Sequence, residues 1–293
     1  MKASVEAVGG PGRETFFQLV LPADTPHTFS WPAILLGLSL VLSPAYWVGN
    51  HAIVQRCLAT PTERDAKKAV LFAAFLKTTI PFLIVLPGMI GFALFPDLEH
   101  GDDIYPTLLV HLLPTGLAGI VFAGFLAALM SSVDSYLNSA STLWTIDLYQ
   151  RHINREASPE KLFRVGRALT GVFIVLAVLL APITELFPGI FSAMQTLLAF
   201  FQGPIFAILL LGMAWRRTNA TAATMGLISG VGTSVSLFWL KEGIFTSADP
   251  FLYIAWWAFV VALLVTVLVT LLTPPPPLKK TEGLTANFLT AST

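Results

Sequence analysis

Seven predominantly apolar runs, near 31–55, 69–95, 112–149, 165–186, 190–214, 220–240 and 251–272, each reach the ~20 residues that a helix needs to cross a bilayer. In hydrocarbon no water is available to the backbone, so each run must satisfy its own N–H and C=O groups, as only a helix does within one segment. The expected fold class is therefore an all-α polytopic membrane protein with about seven transmembrane helices. Composition agrees, with 55% hydrophobic and 12% charged residues, against about 25% charged in soluble chains. A net charge of zero and the lack of a basic run argue against a nucleic-acid partner. Cys57 is the single cysteine, which excludes an intrachain disulfide and a cysteine-built metal site.

The third run carries an unusual load of oxygen. At about 100° per residue, Ala128, Ser131, Ser132, Ser135, Ser139 and Thr142 share one helix face, with Asp134 and Asn138 at its flanks. Such a stripe is unfavourable in lipid unless it meets protein, water or an ion, and an intramembrane acid beside it marks a candidate functional site. The competing reading is structural, because hydroxyls in membrane helices also serve packing and bond back to their own backbone.

Basic residues sort to one side. The loops after the first, third, fifth and seventh runs hold Arg56, Arg64, Lys67, Lys68, Arg151, Arg155, Lys161, Arg164, Arg167, Arg216, Arg217, Lys279 and Lys280, whereas an opposite loop holds Asp97, Glu99, Asp102 and Asp103. By the positive-inside rule, the expected arrangement is a cell-membrane protein with residues 1–30 outside and a Pro-rich tail, 274–293, in the cytoplasm. Lys77, about two turns into the second run, is the one basic residue placed at depth in the membrane. An odd number of spans behind an external N-terminus leads to the expectation of further sequence upstream. Two runs contain helix-interrupting signals at mid-depth, Ser43-Pro44 with Gly49-Asn50, and Gly203-Pro204 beside Gln195 and Gln202. Interrupted helices free backbone carbonyls and commonly surround a transporter's central site.

The strings Ile53-Val-Gln-Arg-Cys-Leu58, Leu86-Pro-Gly-Met-Ile90, Ala127-Ala-Leu-Met-Ser-Ser132, Leu137-Asn-Ser-Ala-Ser-Thr-Leu143 and Asp147-Leu-Tyr149 together resemble the sodium/solute symporter family, most closely its sodium/sugar cotransporters. The resemblance covers roughly residues 30–240 and implies a leucine-transporter-type fold of two inverted five-helix repeats. Residues 31–214 would form the whole second repeat and 215–273 two further helices, with the first repeat missing. It also implies sodium-coupled symport of a small organic solute, a sugar or polyol, by alternating access. Sodium would be the coupling ion, no other cofactor is implied, and the bilayer and a separately encoded N-terminal half are the expected partners.

Site residues follow from the same resemblance. Ala128, Ser131 and Ser132 match the family's shared sodium site, and oxygen ligands suit a hard cation. Asp134 and Ser135 occupy a possible second sodium or proton position, where Asp134 replaces an expected Thr or Ala. Ser43, Tyr46, Trp47, Lys77 and Gln195 match solute-binding positions, aromatic faces suiting a sugar ring and the ammonium and amide suiting its hydroxyls. Read without the resemblance, Lys77 is equally a lysine snorkelling to the headgroups, Tyr46 and Trp47 an interior aromatic pair, and Gln195 a contact between helices. Asp147 and Glu185 fall near span ends, where solvation or capping explains them. Two alternatives stand beside symport: a truncated or split-gene product without transport of its own, and, with less support, an intramembrane hydrolase using Ser131 or Asp134. The latter lacks His-Glu-x-x-His, Gly-x-Ser-x-Gly and a second mid-depth acid, so no enzyme is expected.

Overall fold

A computed structural model describes residues 18, 20–25, 27–96, 98, 101–187, 189–247 and 249–277. The expectations for most of the N-terminal segment and for the tail beyond residue 277 lie outside the described residues. Apart from one bridge between Leu21 and Ser30, the regular structure among the described residues is helical. In chain order the main helices are α1 (Trp31–Gly49), α2 (His51–Leu58), α3 (Glu63–Leu94), α4 (Ile104–Leu112), α5 (Thr115–Ile153), α6 (Pro159–Glu185), α7 (Ile190–Ala214), α8 (Ala220–Trp239) and α9 (Phe251–Leu272). All but α2 and α4 are long and apolar enough to cross a membrane. The chain is a multi-pass, all-α membrane protein.

Helix starts follow capping chemistry. Thr62, Ser158 and Asn219 precede α3, α6 and α8, and each side chain accepts a hydrogen bond from the N–H three residues on. Interruptions depart from expectation. At Ser43-Pro44 the chain stays helical: residues Ile34–Leu42 wind as a π-helix, and the Ser43 N–H donates to the carbonyl of Leu38, five residues back. That wider winding makes room for the Pro44 ring. The helix ends at the other expected signal, Gly49-Asn50, where Asn50 adopts φ −84° and ψ 107°. Gly203-Pro204 does not break α7 either, which runs unbroken from Ile190 to Ala214 with Pro204 inside. An unanticipated irregularity occurs in α3 beyond Lys77. The Thr78 and Thr79 hydroxyls bond back to the carbonyls of Phe75 and Leu76 at 2.6 and 2.7 Å, and Pro81–Val85 then winds as a π-helix, since Pro81 has no N–H to continue the ladder.

The chain divides into two compact units at Asn50–His51 and Ile190–Phe191. One holds α2 to α6. In it, Gly91 lies so close to Ile104 and Leu108 that a side chain there would collide with both, and the Tyr105 hydroxyl donates to the Leu83 carbonyl at 2.7 Å. The spans of this unit are largely exposed, and none has a well-buried hydrophobic window.

The other unit joins α1 to α7, α8 and α9, and α9 is its axis. Leu252, Ala255, Ala258, Ala262, Thr266 and Thr270 are all fully buried along α9. These small residues let the neighbours approach to backbone contact, as membrane helices require when lipid offers no hydrophobic drive. A Cβ at Gly37 of α1 would strike the Leu252 carbonyl oxygen, and one at Gly226 of α8 would strike the Thr266 hydroxyl. Aromatic stacking of Phe206 on Phe259, centroids 5.6 Å apart, closes the α7–α9 seam beside Val41 and Ala45 of α1.

Candidate functional site

The oxygen stripe of α5 survives as one exposed helix face, with Ala128, Ser131, Ser132 and Asp134 exposed and Ser135 half-buried. Along it the hydroxyls bond one turn back. Ser132 donates to the Ala128 carbonyl at 3.2 Å, and Ser135 donates to the Ser131 carbonyl at 2.9 Å. The helix thereby sets a carbonyl and a hydroxyl oxygen of the expected sodium triad side by side. Both are hard donors of the kind an alkali cation prefers, and a cation accepting both lone pairs requires only that the Ser132 proton turn away. Among the described residues no three His, Cys, Asp or Glu side chains gather in a way that could hold a metal ion.

Helix α2 adds two residues that sequence reasoning had placed elsewhere. Arg56, assigned to a topogenic loop, donates from Nη2 to the Ser135 hydroxyl at 2.7 Å. His51 hydrogen-bonds through Nδ1 to the Ser139 hydroxyl at 2.5 Å. Because His51 and Arg56 meet Ser139 and Ser135 in reversed order, α2 runs antiparallel to this part of α5. The expected second cation position thus already has a guanidinium at Ser135. Asp134 makes no hydrogen bond or ion pair with a described residue, although it is the nearest carboxylate in sequence. The only sequence cue to Arg56 and His51 was the break at Asn50, which frees α2 to lie as a separate helix.

The solute-binding candidates divide between the two units. Ser43, Tyr46 and Trp47 lie on α1, with Tyr46 and Trp47 half-buried and their rings edge-to-face at 6.2 Å. Gln195 lies half-buried on α7 of the same unit, between Ser192 and Thr196, whose hydroxyls both reach the Asp249 carboxylate. Lys77 is exposed in the other unit, at the point where α3 loses its regular winding. Each candidate therefore sits at or next to a feature that loosens or pins the backbone, and Tyr46 and Trp47 are in direct ring contact.

Comparison with known proteins bears on the whole arrangement. Residues 21–230 match the model of the sodium:solute symporter family. The human sodium/myo-inositol cotransporter 2 is 36% identical over 244 residues, covering 76% of this chain and 35% of the relative. The Vibrio parahaemolyticus sodium/glucose cotransporter is 33% identical over 234 residues, covering 73% and 43%. This chain spans less than half the length of either relative. A solved structure of a Na+-coupled sialic acid symporter in a substrate-bound outward-open state shares the fold, with a TM-score of 0.71 and 23% identity over 87% of this chain and 53% of that one. The family match covers most of the chain and both relatives exceed the identity at which family membership is secure, so this chain belongs to the sodium:solute symporter family.

Proposed function

We propose that the chain is the part of a sodium-coupled symporter that carries the second inverted repeat of a leucine-transporter-type fold, within 31–214, followed by two helices within 215–273. The observation that best supports this reading is the Ala128 carbonyl set beside the Ser132 hydroxyl within the family's Ala-x-x-Ser-Ser spacing. In this reading the solute is a small sugar or polyol. The Tyr46–Trp47 pair faces its apolar ring surface, and Lys77 and Gln195 bond its hydroxyls, with Ser43 alongside. Asp134 and Ser135 serve a second cation or proton once Arg56 withdraws. Sodium at Ala128, Ser131 and Ser132 couples uptake to its gradient because it binds the outward-facing state better, and that state also holds the solute better. A first repeat, supplied upstream or by a separate chain, completes the ion cage. In this reading the basic loops lie on the cytoplasmic side, with the C-terminal tail in the cytoplasm and residues 1–30 outside. A family of symporters leaves the hydrolase alternative without support.

Uptake of labelled myo-inositol and glucose by cells producing this chain together with its first-repeat half tests the proposal. Sodium-dependent accumulation of either is expected. Accumulation that ignores sodium would overturn it.

A further inference from the structure

Where the end of α5 lies beside the start of α6, a cavity of about 390 Å³ opens. Its polar lining has donors to spare. Thr145 is 5% exposed, and its hydroxyl has no hydrogen-bond partner. The Arg167 guanidinium and the Asn138 side-chain amide make no hydrogen bond or ion pair with a described residue. A buried hydroxyl left unpaired costs roughly 1–3 kcal/mol, and Arg167 and Asn138, both exposed, add a charge and an amide at its rim. The lining residues include no carboxylate to answer the Arg167 charge.

The donor set suits one chemistry above others. A phosphate offers negative charge and several acceptor oxygens, and a guanidinium engages it through two parallel hydrogen bonds while a hydroxyl and an amide take the remaining lone pairs. The rest of the lining is apolar, from Ile146, Leu162 and Phe163. Phe163 is 67% exposed on a membrane-spanning helix, so the polar part of the cavity adjoins an apolar wall open to the outside of the chain. A free phosphate ion has no use for that wall, whereas an acyl chain does. Arg151, Arg155, Lys161 and Arg164 surround the same turn in sequence and outnumber Glu156 and Glu160, which concentrates anionic lipid at this level of the membrane.

We propose that this cavity is a binding site for an anionic phospholipid, its headgroup phosphate held by Arg167, Thr145 and Asn138 and an acyl chain lying along Ile146, Leu162 and Phe163. The site sits at the far end of the helix that carries Ala128, Ser131 and Ser132, so its occupant steadies α5 without touching the ion.

The test is lipid retention by the purified chain after reconstitution in phosphatidylcholine bilayers with or without phosphatidylglycerol, read by native mass spectrometry. The wild-type chain is expected to keep phosphatidylglycerol through delipidation. Arg167→Gln should lose it by roughly tenfold, the size of one charge-assisted contact, and Thr145→Val should weaken it with little change in shape. Arg155→Gln, which keeps the cavity intact but removes a neighbouring charge, should retain it. Equal loss in the Arg155 and Arg167 variants would reduce the effect to diffuse attraction and overturn the proposal. Displacement of the lipid by millimolar inorganic phosphate would assign the pocket to a free anion and overturn it equally, and retention unaffected by both Arg167→Gln and Thr145→Val would leave the cavity a packing gap.

Discussion

The Ser234 hydroxyl on α8 stands 3.2 Å from the carbonyl oxygen of Phe200 on α7, the carbonyl that Pro204, four residues on, leaves without its helical N–H. The same hydroxyl lies 3.2 Å from the Gly230 carbonyl of its own helix and is fully buried. One side chain from a neighbouring helix thus repairs the ladder that a proline breaks, and α7 continues straight through. Ser234→Ala should destabilise the chain by about 1–2 kcal/mol, measured by thermal or denaturant unfolding in detergent. Adding Pro204→Ala should shrink that loss, because the backbone N–H restored by that change then serves the Phe200 carbonyl. An undiminished loss in the double variant would sever the link between the two residues.

Close approach along α9 makes a second prediction. Any side chain at Gly226 meets the buried Thr266 hydroxyl and the Ala262 carbonyl, neither of which has room to retreat. Gly226→Val should cost about 1–3 kcal/mol through overpacking, while Gly232→Val on the same helix, facing open space, should cost little in packing. Melting temperatures of the two variants compare them directly.

Asn219 does two jobs at one corner. Its Oδ1 accepts from the Ala222 N–H at 2.9 Å to cap α8, and its Nδ2 donates to the Thr273 hydroxyl at 2.6 Å just past α9. Beside it Arg217 donates to the carbonyls of Thr270 and Leu271 at 3.3 and 3.2 Å, a cation at a helix C-terminus. Asn219→Asp retains the cap and gives up the donor, so it should lose less than Asn219→Ala, for which about 1–2 kcal/mol is expected. Equal midpoints for the two variants would put the main contribution in the bond to Thr273, which both lose.

The guanidinium of Arg56 at Ser135 sets a fixed positive charge about one helical turn from Ser131 and Ser132 and two from Ala128. A second cation at Asp134 and Ser135 has to displace it. In the reassembled transporter, Arg56→Gln should lower the sodium concentration that half-saturates uptake, and Ser132→Ala should raise it by roughly tenfold, the value of a lost ligand. Gln195→Ala should instead raise the half-saturating solute concentration with sodium dependence intact. Titrations of uptake against sodium and against solute separate the three outcomes.

The spans were legible because a bilayer demands about 20 apolar residues and little else imitates that pattern. Local oxygen pairing in α5 was legible too, since Ala128 and Ser132 lie one turn apart on any helix. What escaped was the work of distant partners. Gly203-Pro204 reads as an interruption only while Ser234 is out of view, and His51 and Arg56 acquire partners in Ser139 and Ser135 that no local pattern announces. The irregular winding after Lys77 had one visible cue in Pro81, but threonine hydroxyls turned back on their own carbonyls leave no trace in hydropathy. The solute candidates remain divided for the same physical cause, Lys77 belonging to a unit other than that of Tyr46, Trp47 and Gln195.

That division has a bearing on biosynthesis. Helix α1 is made before the whole of the α2–α6 unit, yet the surface that fits Gly37 is the Leu252 backbone of α9. At about 5–20 residues per second, α1 waits on the order of tens of seconds for its mate to leave the ribosome. Its glycine and alanine face must therefore be tolerable to lipid or to the insertion machinery for that interval, and a polar substitution there would be tested first during synthesis, by whether the nascent helix stays in the membrane, and only afterwards by how well the finished helices pack.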